Sequence, residues 1–122
     1  MKLYFQIPTG LKTEVKQELT SSKEALKKGE LQISWRHLER AHILGQSYPI
    51  EHTLAHWEML KFAFAIKNTK EIIGQIPRLI VGGIKSFVGK IPVGNTGGAN
   101  VPPLLPMEIP ADLQTILNRY KA

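Results

Sequence analysis

The chain has 122 residues, a formal charge of +6 and no cysteine. This length predicts a single domain over residues 1–122 that is large enough to bury one core. The lack of cysteine excludes disulfides, thiolate metal sites and cysteine nucleophiles. The basic charge favours acidic partners in general. However, the lysines are dispersed and are not interleaved with aromatic residues, which argues against nucleic acid as the partner.

The N-terminal sequence MKLYFQIPTG contains one lysine and no apolar run that would serve as a signal sequence. We therefore expect a cytoplasmic protein. No apolar segment approaches the roughly 20 residues that span a bilayer, so no transmembrane helix is predicted. Contact of the fourth predicted helix with a membrane surface is a disfavoured alternative.

Apolar residues recur at helical spacing through most of the chain, and no segment shows the strict alternation of a strand. The pattern predicts an all-α fold, a single domain of four to five helices around a central helical hairpin. Asn68 followed by Glu71 resembles a capping box at the start of the fourth helix. The predicted helices cover about residues 11–28, 30–45, 49–67, 69–88 and 111–121.

Residues 89–110 contain five of the eight prolines, so neither a helix nor a sheet is expected there. Several apolar residues in this segment favour a long, ordered, Pro/Gly-rich loop. Within it, the run from Gly94 to Gly98 (GNTGG) allows three interpretations: a tight turn, an anion-binding loop, or a cover that folds over the central hairpin and closes its histidines from water. The Gly-Lys-Ser/Thr sequence of a phosphate-binding loop is absent.

The segment 35–60 contains all four histidines and lies on the two helices of the central hairpin. His42 lies about one turn before the connection, and His52 and His56 lie within the first two turns after it. Residues at equal distance from the turn of an antiparallel pair lie at the same level, so these three imidazoles are predicted to converge.

Glu39 is three residues before His42 and shares its helix face, which adds a carboxylate to the three imidazoles. Such a set suits zinc, iron or manganese. The chain has one Glu-x-x-His pair where di-iron bundles use two, so a dinuclear centre would need a homodimer. His37 lies off this face and is interpreted as a surface residue.

A structural role for the histidines is the main alternative. His42 and His56 would then be buried neutral imidazoles, bonded to carboxylates or backbone carbonyls. Gln46 and Gln75 are interpreted as ordinary polar residues. No serine is paired with a histidine and an acid at a known motif spacing, so a hydrolase is not predicted.

Several linked runs of the sequence also resemble a known family. These runs are LERAHILGQ at 38–46, His52 with His56, Met59 and Leu60, Glu71 with Gly74, Gln75, Arg78 and Leu79, Pro92 with Gly94 to Gly98, and Pro106 with Met107. They resemble a small bacterial family catalogued only as domain of unknown function thirty-seven-oh-three, over about residues 20–118. The resemblance implies no activity. It does imply a frequent genomic neighbourhood of heavy-metal resistance and efflux functions, which favours a metal site. The chain departs from the family at Glu108, where proline is usual, and no proposed ligand is affected.

The sequence thus favours a small non-enzymatic protein that binds a metal or responds to metal stress, with Glu39, His42, His52 and His56 as ligands. The alternative is a helical protein-interaction module with structural histidines, whose basic surface or Gly-rich fourth helix meets a partner, either another protein or a second copy. A metal-dependent enzyme is the third interpretation. It comes last because it needs an open coordination position and a substrate pocket, and the sequence reveals neither.

Overall fold

The computed structural model describes residues 6–88, 95–99 and 106–120, with side chains in the fourth helix up to Leu79. This part of the chain contains helices and no strand, so the fold is all-α and forms a single small domain. The predicted long loop over 89–110 falls partly on residues 89–94 and 100–105, which lie outside the described residues. The helices are α1 (Thr9–Lys27), α2 (Leu31–Gly45), α3 (Pro49–Ala65), α4 (Thr69–Val88) and α5 (Ala111–Arg119).

The apolar core lies mainly between α1 and α2. Leu11, Val15 and Leu19 are four residues apart on α1 and bury one face of that helix against Leu38 of α2. Further along, the Ser34 hydroxyl donates to the Ser22 carbonyl oxygen at 2.7 Å. A small hydroxyl residue on α2 thus lets the two helices approach closely without leaving a buried polar group unpaired.

A tight turn joins α2 to α3 and sets the geometry of the hairpin. The Tyr48 N–H donates to the Gly45 carbonyl oxygen at 2.9 Å, and Pro49 occupies the first turn of α3. A Cβ at Gly45 would lie 3.0 Å from Cβ of Glu51, so glycine allows the end of α2 to lie close to the start of α3.

The turn between α3 and α4 forms only one half of the predicted capping box. The Asn68 side-chain oxygen accepts the Glu71 N–H at 3.0 Å, as an N-cap does. The Asn68 N–H donates to the Ala63 carbonyl oxygen, so the Glu71 carboxylate is not used for the reciprocal bond. That carboxylate instead turns toward residues 95–99.

Helix α5 is held to α2 by one buried leucine, Leu113, and by an ion-pair network. Arg40 contacts Asp112 at 2.7 Å and Glu18 of α1 at 2.8 Å. His37 also bonds to Glu18, at 2.8 Å, so it is half-buried and paired and is not a simple surface residue.

Within the described part of the chain, no helix combines the length and the apolarity needed to cross a membrane.

Candidate metal centre

Three histidine rings meet where the end of α2 lies beside the start of α3. Nε2 of His42 is 2.9 Å from Nε2 of His52 and 3.1 Å from Nε2 of His56. The Nε2 atoms of His52 and His56 are 3.2 Å apart, so the three Nε2 atoms form a small triangle. His42 and His56 are buried, at 2% and 4% exposure, while His52 is half-buried. The three side chains therefore direct one nitrogen each toward a common point.

The hydrogen bond made by Nδ1 of His42 determines the tautomer of this ring. Nδ1 of His42 lies 2.7 Å from the carbonyl oxygen of Asn95. A carbonyl only accepts, so Nδ1 carries the proton and donates it, and neutral His42 presents a lone pair at Nε2. Burial, together with the neighbouring His52 and His56, holds the pKa of His42 well below its ordinary value of 6.5. His42 is thus a neutral donor ligand at physiological pH.

A relay of two hydrogen bonds orients His56 in the same way. Gln75 is fully buried, and its amide nitrogen donates to Glu71 Oε2 at 2.6 Å and to the Gly97 carbonyl oxygen at 2.8 Å. Both amide protons are used, so Gln75 Oε1 accepts from His56 Nδ1 at 2.6 Å. His56 therefore also presents Nε2 to the cluster, and its outer N–H is fixed by a hydrogen bond, as is usual for metal-bound histidines.

Residues 95–99 form a short segment that packs directly on the histidines. At Gly97, φ is +86° and an added Cβ would lie 2.5 Å from Cδ2 of His42. Both the backbone conformation and the contact with the ring therefore require glycine. On α4, a Cβ on Gly74 would collide with Cβ of Ala99. These two glycines let the segment reach the site.

Side chains of α4 hold this segment in place. The Ala99 N–H donates to the Glu71 carboxylate at 2.9 and 3.1 Å, and Nη1 of Arg78 donates to the Gly97 carbonyl oxygen at 3.1 Å. Burial lowers the pKa of Arg78, and the nearby Glu71 partly opposes this effect. The carboxylate of Glu71 thus accepts hydrogen bonds both from residues 95–99 and from Gln75.

Glu39 occupies a different place from the three imidazoles. Its carboxylate contacts Arg36 Nη1 at 3.5 Å. Burial raises the pKa of Glu39, and Arg36 and Thr96 partly offset this rise. Among the described residues, the group whose ligand atoms lie within 4.8 Å of one another consists of His42, His52 and His56. The structure therefore brings together the three predicted histidines, and Glu39 lies outside the group.

The residues that support the histidines are not predicted by the sequence pattern. Gln75 is interpreted there as an ordinary polar residue, and Asn95 and Gly97 as parts of a loop with several open roles. The signal for them is present in the linked runs Glu71-x-x-Gly74-Gln75-x-x-Arg78 and Asn95-Thr96-Gly97. Sequence spacing alone does not show that these two runs meet.

Comparison with known proteins identifies a family and no characterised relative. Residues 9–117 match the family model described as "Protein of unknown function (DUF3703)". Neither the curated proteins nor the solved structures contain a match to the chain.

Proposed function

The chain belongs to the DUF3703 family, and we propose that it is a small non-enzymatic protein that binds one divalent transition metal through His42, His52 and His56. The observation that carries the proposal is the approach of three Nε2 atoms to within 3.2 Å of one another. Each close pair of ring nitrogens needs a proton or a shared cation between them. One metal ion satisfies all three pairs at once.

The outer hydrogen bonds fit this proposal and also fit structural histidines, so the support for a metal comes from the inner nitrogens. His42 and His56 both donate through Nδ1, so their Nε2 lone pairs face each other at 3.1 Å and neither ring can supply a proton to the other. Imidazole lone pairs that converge on one point, with a third ring beside them, are the arrangement of a metal site. The relay from His56 through Gln75 to Glu71 adds the second layer of contacts that metal-binding histidines normally have.

The donor set favours zinc or iron(II) among the three metals that the sequence suggests. All three donors are neutral imidazoles, which suit zinc, iron, copper and nickel, whereas manganese prefers carboxylate oxygens. Glu39 is not required as a ligand in this proposal. It has Arg36 as its partner.

Elemental analysis of untagged protein, purified without chelator, tests the proposal. We expect one transition metal ion per chain in the wild type and loss of that metal in His42→Ala and His56→Ala, with circular dichroism confirming that each variant is folded. His37→Ala is the matched control, since it removes the histidine outside the group, and it should retain the metal. Metal-free wild type that cannot be loaded would overturn the proposal.

A second candidate function, a helical interaction module, is favoured by the outer face of α3. Ile50, Leu54, Trp57 and Phe64 are 67%, 38%, 49% and 58% exposed. Their spacing of four, three and seven residues places them in one stripe, on the side of α3 away from His52 and His56. An exposed apolar stripe of this kind suits a partner helix, and a second copy of the chain is the simplest candidate.

Sedimentation at several protein concentrations tests this candidate. If the stripe forms a homodimer, the wild type should dimerise and Trp57→Glu should remain monomeric. Ile33→Glu is the control, because Ile33 is equally exposed on α2 and lies outside the stripe. A monomeric wild type at every concentration would exclude the homodimer.

A further inference from the structure

The edges of the nitrogen triangle contain information about the coordination number of a bound ion. With metal–nitrogen bonds of about 2.0 to 2.1 Å, two ligands lie about 3.5 to 3.6 Å apart on a flat three-coordinate ion, about 3.3 to 3.4 Å apart on a tetrahedral ion and about 2.8 to 3.0 Å apart at adjacent positions of an octahedral ion. The observed distances between the Nε2 atoms are 2.9, 3.1 and 3.2 Å. All three are shorter than the flat value, so an ion bonded to all three nitrogens would lie off their plane with at least one position left for a further ligand.

The chain does not place a fourth acidic donor at that position. All ten Asp and Glu residues and all four histidines fall within the described residues, and no carboxylate joins the three imidazoles within 4.8 Å. Glu71 is engaged by Gln75 and the Ala99 N–H. Glu51 is buried next to His52 in sequence, but its stem packs against Gly45.

The charges at the site favour an anion as the missing ligand. Three neutral imidazoles leave both charges of a divalent ion uncompensated, and burying an unpaired charge is unfavourable. Nη1 of Arg78 donates to the carbonyl oxygen of Gly97 at 3.1 Å, and Gly97 itself packs against the His42 ring. The site therefore contains two sources of positive charge, the ion and Arg78.

We infer that the metal held by the three histidines binds a small inorganic anion from solution at its fourth position, and that Arg78 strengthens the binding of that anion. This inference rests on the proposed metal site. His52 is the only half-buried member of the group, so the anion enters beside its ring.

Cobalt(II) provides the test, because its visible absorption reports coordination geometry and ligand exchange. Chelator-treated protein is loaded with one equivalent of cobalt(II) and titrated with sodium azide. We expect a saturable spectral change in the wild type. Arg78→Gln should weaken azide binding by about tenfold, since it removes one nearby charge, and Arg78→Lys should restore most of the affinity. Arg119→Gln, on the exposed face of α5, makes the same change in net charge and should have no effect.

The outcomes separate this inference from the function on which it rests. Failure of the wild type to bind cobalt(II) would remove both. Cobalt(II) binding with a spectrum insensitive to azide would overturn the anion site alone. The buried Glu51 carboxylate is the rival fourth ligand, since its Oε2 has no hydrogen-bond partner in the described part of the chain. If azide bound only to Glu51→Gln, the fourth ligand would come from the chain and the inference would be wrong.

Discussion

The two halves of this domain are stabilised in different ways. Between α1 and α2 the interior is apolar, with Leu11, Val15 and Leu38 buried, and the charged groups lie nearer the surface. Between α3, α4 and residues 95–99 the interior contains His56, Gln75 and other polar groups. Burying polar groups costs free energy unless each has a partner. The difference indicates that the first half forms the framework of the fold and that the second is built to hold a site.

The largest difference between the halves is expected from alanine at two glycines with positive φ. Gly29 (φ +76°) connects α1 to α2 and has no atom within 4 Å of an added Cβ, whereas an added Cβ at Gly97 would lie 2.5 Å from the His42 ring. Gly29→Ala should cost about 1 to 2 kcal/mol through its backbone alone and leave metal binding intact. Gly97→Ala should abolish metal binding. Equal metal content in the two variants would show that residues 95–99 do not support the site.

A cavity in the apolar half should destabilise the protein without affecting the site. Leu38→Ala removes a side chain that is 2% exposed and should lower the free energy of unfolding by about 2 to 5 kcal/mol. Urea unfolding measures this loss in the chelator-treated and the metal-loaded protein. The two losses should be equal, because Leu38 belongs to the apolar cluster and provides no ligand. A much larger loss in the loaded protein would mean that the halves are coupled.

In the polar half, Gln75→Leu should weaken metal binding by about tenfold to a hundredfold, because His56 loses the acceptor that orients it. Competition with a chromophoric chelator measures the affinity. Gln114→Leu is the control, since this exposed glutamine of α5 bonds to Asn118 of its own helix. Unchanged affinity in Gln75→Leu would show that the relay does not orient the ligand.

The pH dependence of the metal-free protein should be dominated by the polar half. The pKa of His42 is lowered in the folded chain and is near 6.5 when unfolded. The unfolded state therefore takes up the proton first, and the free energy of unfolding should fall as the pH drops below about 6.5. The raised pKa of Glu39 acts in the opposite direction, nearer its ordinary value of 4.5. Urea unfolding between about pH 8 and pH 5.5 would contradict this prediction if the stability stayed constant or rose on acidification.

The smallest effect is expected from the ion pairs of the framework. Arg40→Met removes the contacts to Glu18 and Asp112 near the surface and should change the free energy of unfolding by about 1 kcal/mol or less. Added salt should reduce the difference from the wild type, since it screens such pairs. The thermal midpoint at low and high salt measures both effects. A loss of metal in this variant would show that the ion pairs of the framework also support the metal site.

The framework and the three histidines could be predicted from the sequence because both depend on local periodicity. Residues four apart on one helix share a face, and a short hairpin brings its two ends level, which is enough to bring together His42, His52 and His56. The capping pattern at Asn68 correctly predicts the hydrogen bond from the Glu71 N–H to the Asn68 side chain. The reciprocal bond, from the Asn68 N–H to the Glu71 carboxylate, is not formed. That pattern concerns a single helix, whereas the partners of the Glu71 carboxylate lie elsewhere in the chain.

Contacts between distant parts of the chain could not be predicted from spacing. Nothing in a helical pattern distinguishes Gln75, which is fully buried, from its neighbour Ile76, which is 42% exposed. By hydropathy the isoleucine should be inside, and the glutamine is expected to be an ordinary polar residue. The polar side chain is buried because His56 and Gly97 provide its partners. Such an inversion becomes visible only when the partners are known.

The most direct test of the central claim is the stability of chelator-treated protein at increasing zinc concentration. A site in the folded chain adds about 2.7 kcal/mol to the free energy of unfolding when free zinc is about a hundred times the dissociation constant. We predict this rise, saturating at one ion per chain, for the wild type and for His37→Ala, and no rise when His42, His52 and His56 are all replaced by alanine. A wild type that zinc does not stabilise, or a triple variant that zinc stabilises equally, would contradict the proposed metal site.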